Sequence, residues 1–197
     1  MGAGSEESEV PPKIEPVTPE AEKALRVRRG WNVAMADRKA LVSVIGGSDS
    51  APPEALVLAG EVGFLIARAD AVLVCGGLNG VMEAACKGAK RGGGTTVGIL
   101  PGPDAAAANP WVDIPVVTAM STARNAIVVR TGDAIIAIDG SFGTLTEIAY
   151  ALDLGKKVFA LRSWELEKLD VSRELFVPVR TAREAVEGAV EEAHRVR

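Results

Sequence analysis

Asp133–Gly155 reads DAIIAIDGSFGTLTEIAYALDLG. DAIIAIDG is an apolar run that reads as a strand closing on glycine. Small and hydroxylated residues follow at Gly140, Ser141, Gly143 and Thr144. TLTEIAYALDLG then reads as a helix that stops at Gly155. A strand, a glycine turn and a helix in that order make half of a βαβ unit, and the question is whether the rest of the chain repeats it.

The order does recur. ALVSVIGGS, residues 40–48, is a buried strand ending in glycines, and PPEALVLAGEVGFLIARAD is a helix with proline allowed in its first turn. AVLVCGG, residues 71–77, is a second strand closing on glycines, and NGVMEAACKGAKRGG is a helix ending at a glycine run. TTVGILPG is a third strand. PDAAAANPWVD is a loop before the short strand IPVVTA. STARNAIVVRTG is helical, with Ser121 or Thr122 as its N-cap. KKVFALR and LFVPV are the last strands. TAREAVEGAVEEAHRVR is a terminal helix whose Thr181 and Glu184 are spaced as a capping box. Short apolar strands alternating with helices predict right-handed crossovers and one parallel sheet. The expected fold is therefore α/β, a Rossmann-like doubly wound parallel sheet of about seven strands flanked by helices.

Composition agrees. Hydrophobic residues make up 48% of the 197-residue chain and aromatic residues only 4%, so the core is aliphatic. Residues 1–24 are rich in Glu, Pro, Gly and Ser and are expected to be a disordered acidic tail. Residues 25–39 are mildly basic and form a linker or edge segment, and 40–197 is the folded domain. The tail holds six Glu and two Lys, which accounts for the whole net charge of −4. The remainder carries twenty acidic and twenty basic residues, so no basic face is implied for a nucleic-acid polymer. No stretch suggests a signal peptide or a membrane span. Cys75 and Cys86 are expected to be reduced, semi-buried thiols of a cytosolic protein. One histidine, His194, excludes a histidine-based metal site and a Ser–His–Asp arrangement, and no metal ligands are assigned.

In a parallel sheet, ligands sit beyond the carboxyl ends of the strands. Three glycine turns would open there: Gly46-Gly47-Ser48; Gly76-Gly77 with Asn79 and Gly80; and Asp139-Gly140-Ser141 with Gly143 and Thr144. Each leads into a helix N-terminus, where free N–H groups favour an anion. Geometry alone also asks for glycine in βα turns. Neither the G-x-G-x-x-G fingerprint nor the P-loop pattern is present. Glu147 has two readings. Thr144-x-x-Glu147 has capping-box spacing, and a carboxylate beside a phosphate site can serve as acid, base or cation stabiliser. Arg124 also has two. A cation in a first helical turn is unfavourable, so it either pairs with Asp104, Asp113 or another carboxylate, or it holds a phosphate.

CGGLNGVMEAACKGA, AMSTARN and GSFGTLTE, in that order and spacing, resemble the Rossmann-like superfamily that includes the LOG proteins, cytokinin-activating phosphoribohydrolases. TTVGILPG, AAANPW and TARN are most similar to its molybdenum-cofactor carrier branch and that branch's uncharacterised bacterial relatives. The resemblance implies a binding or carrier protein for a phosphorylated heterocycle, either a nucleotide or molybdenum cofactor. It also implies a homodimer or larger homo-oligomer. The LOG catalytic pair maps onto Arg124 and Glu147, which gives the alternative of a nucleoside 5′-monophosphate phosphoribohydrolase. Two departures stand out. Asn125 replaces the usual Lys, and Asp139-Gly140-Ser141 replaces Pro-Gly-Gly or Gly-Gly-Gly. A carboxylate at 139 would repel a phosphate, but would suit a ribose or pterin hydrogen bond. The lysine decarboxylase label carried by some relatives finds no support, because no lysine lies in a glycine turn.

Overall fold

The computed structural model describes residues 38–166 and 174–196. The tail at 1–24 and most of the segment at 25–39 lie outside the described residues. From Arg38 onward the chain forms one α/β unit. Its strands are β1 (Leu41–Gly46), β2 (Val72–Cys75), β3 (Thr95–Leu100), β4 (Ile114–Val117), β5 (Ala134–Ile138), β6 (Val158–Leu161) and β7 (Phe176–Val179). Its helices are α1 (Pro53–Arg68), α2 (Val81–Arg91), α3 (Asn125–Thr131), α4 (Phe142–Asp153) and α5 (Ala182–Arg195).

All seven strands are parallel, in the order β4-β3-β2-β1-β5-β6-β7. The chain winds outward from β1 to β4, then returns to lay β5 on the other side of β1. That reversal puts the topological switch point between β1 and β5, where Gly46 is in register with Ile138.

Burial on both faces explains the continuous apolar runs. Alternate residues of one strand serve opposite cores. Val42, Val44, Leu73, Cys75, Ile136 and Ile138 pack with α1, α2 and α5. Ile45, Val74, Ile135 and Ala137 pack with Val128 and Val129 of α3 and Ile148 and Ala151 of α4. The doubly wound arrangement expected from the sequence is the one observed. Among the described residues, no helix is long and apolar enough to cross a membrane.

Local signals differ in how well they survive. Thr181 caps α5, accepting from the Glu184 N–H at 3.1 Å. Glu184 completes the return half one residue early, accepting from the Arg180 N–H at 2.9 Å. The N-cap of STARNAIVVRTG is corrected: a 3₁₀ turn covers Ser121–Arg124, α3 starts at Asn125, and neither Ser121 nor Thr122 caps with its side chain. The Thr144-x-x-Glu147 capping box is not formed either. Ser141 is the N-cap residue of α4, so Thr144 lies inside the first turn and Glu147 a turn further on. The cysteines are more buried than expected, both at 0% exposure.

Candidate functional site at the carboxyl edge of the sheet

The three glycine turns meet at the carboxyl edge, but they do so in different ways. The first two are bonded to each other. The Val81 N–H, at the start of α2, donates to the Gly47 carbonyl at 2.9 Å. The Asn79 side chain donates to the Asp49 carboxylate. These groups therefore already serve to lock turn to turn. Gly77 is tied in as well, its carbonyl accepting from the Asn109 N–H at 2.9 Å.

The third turn stands across the switch point from the first. Asp139 has a left-handed backbone, φ 50°, and Gly140 follows at φ 120°. The Asp139 N–H donates to the Leu161 carbonyl at 3.4 Å, and its carbonyl accepts from Ser163 Oγ at 2.6 Å. Its carboxylate crosses toward β1: Oδ2 lies 3.1 Å from the point where a side chain on Gly47 would begin. Ser141 and Gly143 are exposed, whereas Thr144 is 2% exposed and folded over Gly140. The exposed part of the turn is thus Ser141, Phe142, at 79% exposure, and Gly143, at the N-terminal end of α4 where the dipole favours negative charge. Ser48 and Asn79 are exposed at the rim, and Gly76 and Gly77 are buried beneath it.

Arg124 comes from the far side of the sheet. After β4, the chain turns back over β3: the Ala119 N–H donates to the Gly102 carbonyl at 3.2 Å and the Ser121 N–H to the Pro101 carbonyl at 2.9 Å. Ala119 and Ser121 both adopt left-handed backbone, φ 52° and 50°. The 3₁₀ turn then aims the Arg124 side chain across the end of β2. Its Cζ lies 2.8 Å from where a Gly76 Cβ would stand, and Met82 Sδ lies 2.7 Å from the same point. Only glycine at 76 leaves room for this guanidinium.

Neither Asp104 nor Asp113 is the partner of Arg124. Asp104 accepts from the Ala106 N–H at 2.8 Å, and Asp113 pairs with Lys90 at 2.7 Å. The partner is Glu147, with Oε1 3.7 Å from Arg124 Nη1. Both residues are buried, at 9% and 7% exposure. That separation gives Coulomb attraction beyond hydrogen-bond distance. Arg124 Nε is buried with no hydrogen-bond partner among the described residues. Loss of hydration pushes the Glu147 carboxyl up to about 7, against the opposing pull of Arg124. The same loss of hydration lowers the Arg124 pKa from its ordinary value. The site therefore holds a desolvated cation with an unused donor and a carboxyl able to gain or lose a proton near neutrality.

Sequence reasoning missed Cys75. Its Sγ accepts from the Gly77 N–H at 3.3 Å and stands 3.5 Å from Cys86 Sγ, close enough to Arg124 to feel its charge. The hydrogen bond between the thiols and burial together hold Cys86 above the ordinary thiol range. Its place immediately before the Gly76-Gly77 pair was the available signal. Among the described residues, no group of three or more His, Cys, Asp or Glu side chains converges as a metal site.

A seven-stranded parallel sheet, wound in both directions from β1 and carrying a buried Arg–Glu pair at its carboxyl edge, defines a Rossmann-like protein. The chain belongs to the SLOG cluster4 family, whose model matches residues 39–190. It is similar to the molybdenum cofactor binding protein from the phototrophic bacterium Rippkaea orientalis, at 37% identity and a TM-score of 0.72, covering 77% of this chain and 95% of that one. It is also similar to the molybdenum cofactor carrier protein from Chlamydomonas reinhardtii, at 33% identity and a TM-score of 0.71, covering 78% and 98%. An uncharacterised protein of Archaeoglobus fulgidus is 46% identical over 121 residues, which is 61% of this chain and 79% of that protein. The LOG-like superfamily and its molybdenum-cofactor carrier branch, expected from the motifs, are thereby supported.

Proposed function

We propose that this chain binds and carries a phosphorylated heterocycle, a nucleotide or molybdenum cofactor, in the crevice at the carboxyl ends of β1, β2 and β5. The observation that carries the reading is Arg124: a cation buried beside a carboxyl only about half ionised at neutral pH, with Nε unpartnered among the described residues. A phosphate would supply the missing acceptors and the opposite charge. The exposed stretch Ser141–Gly143, at the start of α4, supports the same ligand charge. The names of the Rippkaea and Chlamydomonas proteins support a cofactor-carrying role over catalysis. Calorimetric titration with AMP, GMP and molybdopterin tests the reading. Binding of at least one, lost in Arg124→Ala, is the expected result, and no heat with any of them overturns it.

A hydrolytic reading is favoured by one feature, the Glu147 carboxyl near pKa 7 beside Arg124. In that reading, ionised Glu147 takes a proton from water as the water attacks the ribose anomeric carbon, and the base leaves with the glycosidic electron pair. Release of adenine and ribose 5-phosphate from AMP would establish it. Intact AMP after prolonged incubation leaves the carrier function alone. Self-association through α1, where Val57 and Phe64 are exposed, belongs to the same proposal, and light scattering tests it.

A further inference from the structure

Asp139 is the one acidic residue of the third turn, and a bare phosphate site gives it no purpose. Its backbone is left-handed at φ 50°, a conformation costly for most residues outside glycine, asparagine and aspartate. The fold holds it there from two sides, through the Leu161 carbonyl and the Ser163 hydroxyl. Those bonds use only its main chain. The side chain is half-buried and reaches over the switch point toward Gly47, where the absence of a side chain on residue 47 leaves it room. No hydrogen bond to the Asp139 carboxylate occurs among the described residues. A residue fixed by its main chain, with a carboxylate at the switch point that is unpartnered among the described residues, fits a recognition position.

We infer that Asp139 is a specificity-determining residue that accepts hydrogen bonds from the ring system next to the ligand's phosphate. The inference rests on the reading of a phosphorylated heterocycle. Its second support is Arg124, nine-tenths buried with an unpartnered Nε, whose partner Glu147 lies on the helix that begins at this turn. The chemistry follows from charge. An ionised carboxylate beside an anion site repels the phosphate unless the ligand presents donors to it. The nearest donors are the hydroxyls of a ribose, on the ring joined to the phosphate through its methylene, or the N–H groups of a reduced pterin, on the ring fused to the phosphate-bearing pyran. A carboxylate accepts such donors with charge-assisted strength, whereas a deoxy ligand would leave it facing phosphate uncompensated. Asp139 therefore selects ligands by what the ring system next to their phosphate donates.

The test is competition calorimetry on the full chain with AMP, 2′-deoxy-AMP, 3′-deoxy-AMP, molybdopterin and inorganic phosphate. Asp139→Gly removes the carboxylate and accepts the left-handed backbone freely, so folding is preserved; Asp139→Asn keeps the shape without the charge. For a sugar ligand, the parent binds AMP at least about tenfold tighter than one of the deoxy compounds. Asp139→Gly narrows that gap to about threefold or less while inorganic phosphate binds as well or better. For a pterin ligand, molybdopterin binds the parent, and its affinity falls about tenfold in Asp139→Gly, with Asp139→Asn between. Equal affinity of parent and Asp139→Gly for every ring-bearing ligand that binds overturns the role of Asp139 and leaves the carrier reading intact. Failure of the parent to bind any of these compounds overturns both.

Discussion

Arg124 and Glu147 face each other at 3.7 Å beneath the carboxyl edge of the sheet, each less than a tenth exposed. They come from opposite sides of the switch point, Arg124 after β4 and Glu147 within α4. The pair is loose for a buried salt bridge, and desolvation keeps the carboxyl near half-ionised at neutral pH.

Replacing Arg124 with alanine is expected to weaken phosphate-bearing ligands by about 2–5 kcal/mol, the cost of leaving one partner of a desolvated charge pair alone. It also removes the one interaction that lowers the Glu147 pKa, so that carboxyl titrates higher still. Thermal unfolding should then show a small loss of stability at pH 5.5 and a larger one at pH 8.5. Ligand affinity equal to that of the parent would remove Arg124 from the site.

Glu147 makes the protein sensitive to pH in a definite direction. Its folded pKa, about 7, lies above the ordinary 4.5. Its contribution to stability is therefore complete below pH 4.5 and is lost as pH rises through about 7. Anion affinity should fall over the same upper range, because the ionised carboxylate competes for Arg124 and repels the ligand. Titration of the Glu147 side-chain carboxyl by carbon NMR gives the pKa directly. Glu147→Gln should flatten the affinity profile between pH 6 and about 8, since glutamine does not ionise. A profile unchanged by the substitution would place the titrating group elsewhere.

Gly76→Ala is expected to act on Arg124 without touching its chemistry. The added methyl would collide with the guanidinium and with Met82 Sδ. Overpacking of this kind costs about 1–3 kcal/mol, and the guanidinium would be displaced from its place over β2. Affinity should fall in a chain that still shows the parent's far-ultraviolet circular dichroism. Retained affinity would show that the guanidinium can be moved without consequence.

Cys75 and Cys86 are both at 0% exposure with sulfurs 3.5 Å apart. Neither thiol should react with an aromatic disulfide reagent in the native protein over minutes, and both should titrate after unfolding in guanidinium. Since the chain has only two cysteines, the count on unfolding is unambiguous. Rapid native labelling of either thiol would mean that the end of β2 opens readily.

Ala119 adopts φ 52° in the loop that delivers Arg124, a conformation where its Cβ is strained. Ala119→Gly should relieve about 1 kcal/mol of that strain, partly offset by the greater freedom of glycine in the unfolded chain. Denaturant midpoints measure the net effect, expected between neutral and slightly stabilising. A clear loss of stability would show that the alanine methyl makes contacts that matter more than the strain.

The apolar runs of this sequence, each closed by glycine and followed by a helical segment, were enough to determine a parallel, doubly wound sheet. Burial on both faces leaves a local record, because nearly every residue of an inner strand is apolar, and buried exceptions such as Ser43 spend their hydroxyl on a backbone carbonyl. The glycine turns and Arg124 were legible for the same reason: small residues and a cation where a helix begins are locally unusual. Tertiary structure alone decided what those residues do to one another. The capping-box spacing of Thr144 and Glu147 was a valid local signal, overridden when α4 began at Phe142 and Glu147 turned toward Arg124. The cradle at Gly76, the approach of Asp139 to Gly47 and the closeness of Cys75 to Cys86 depend on which strands lie side by side. Strand order comes from how crossovers of nearly equal local pattern pack over the whole sheet. No short window of sequence carries that, so the site's parts could be read in advance and its geometry could not.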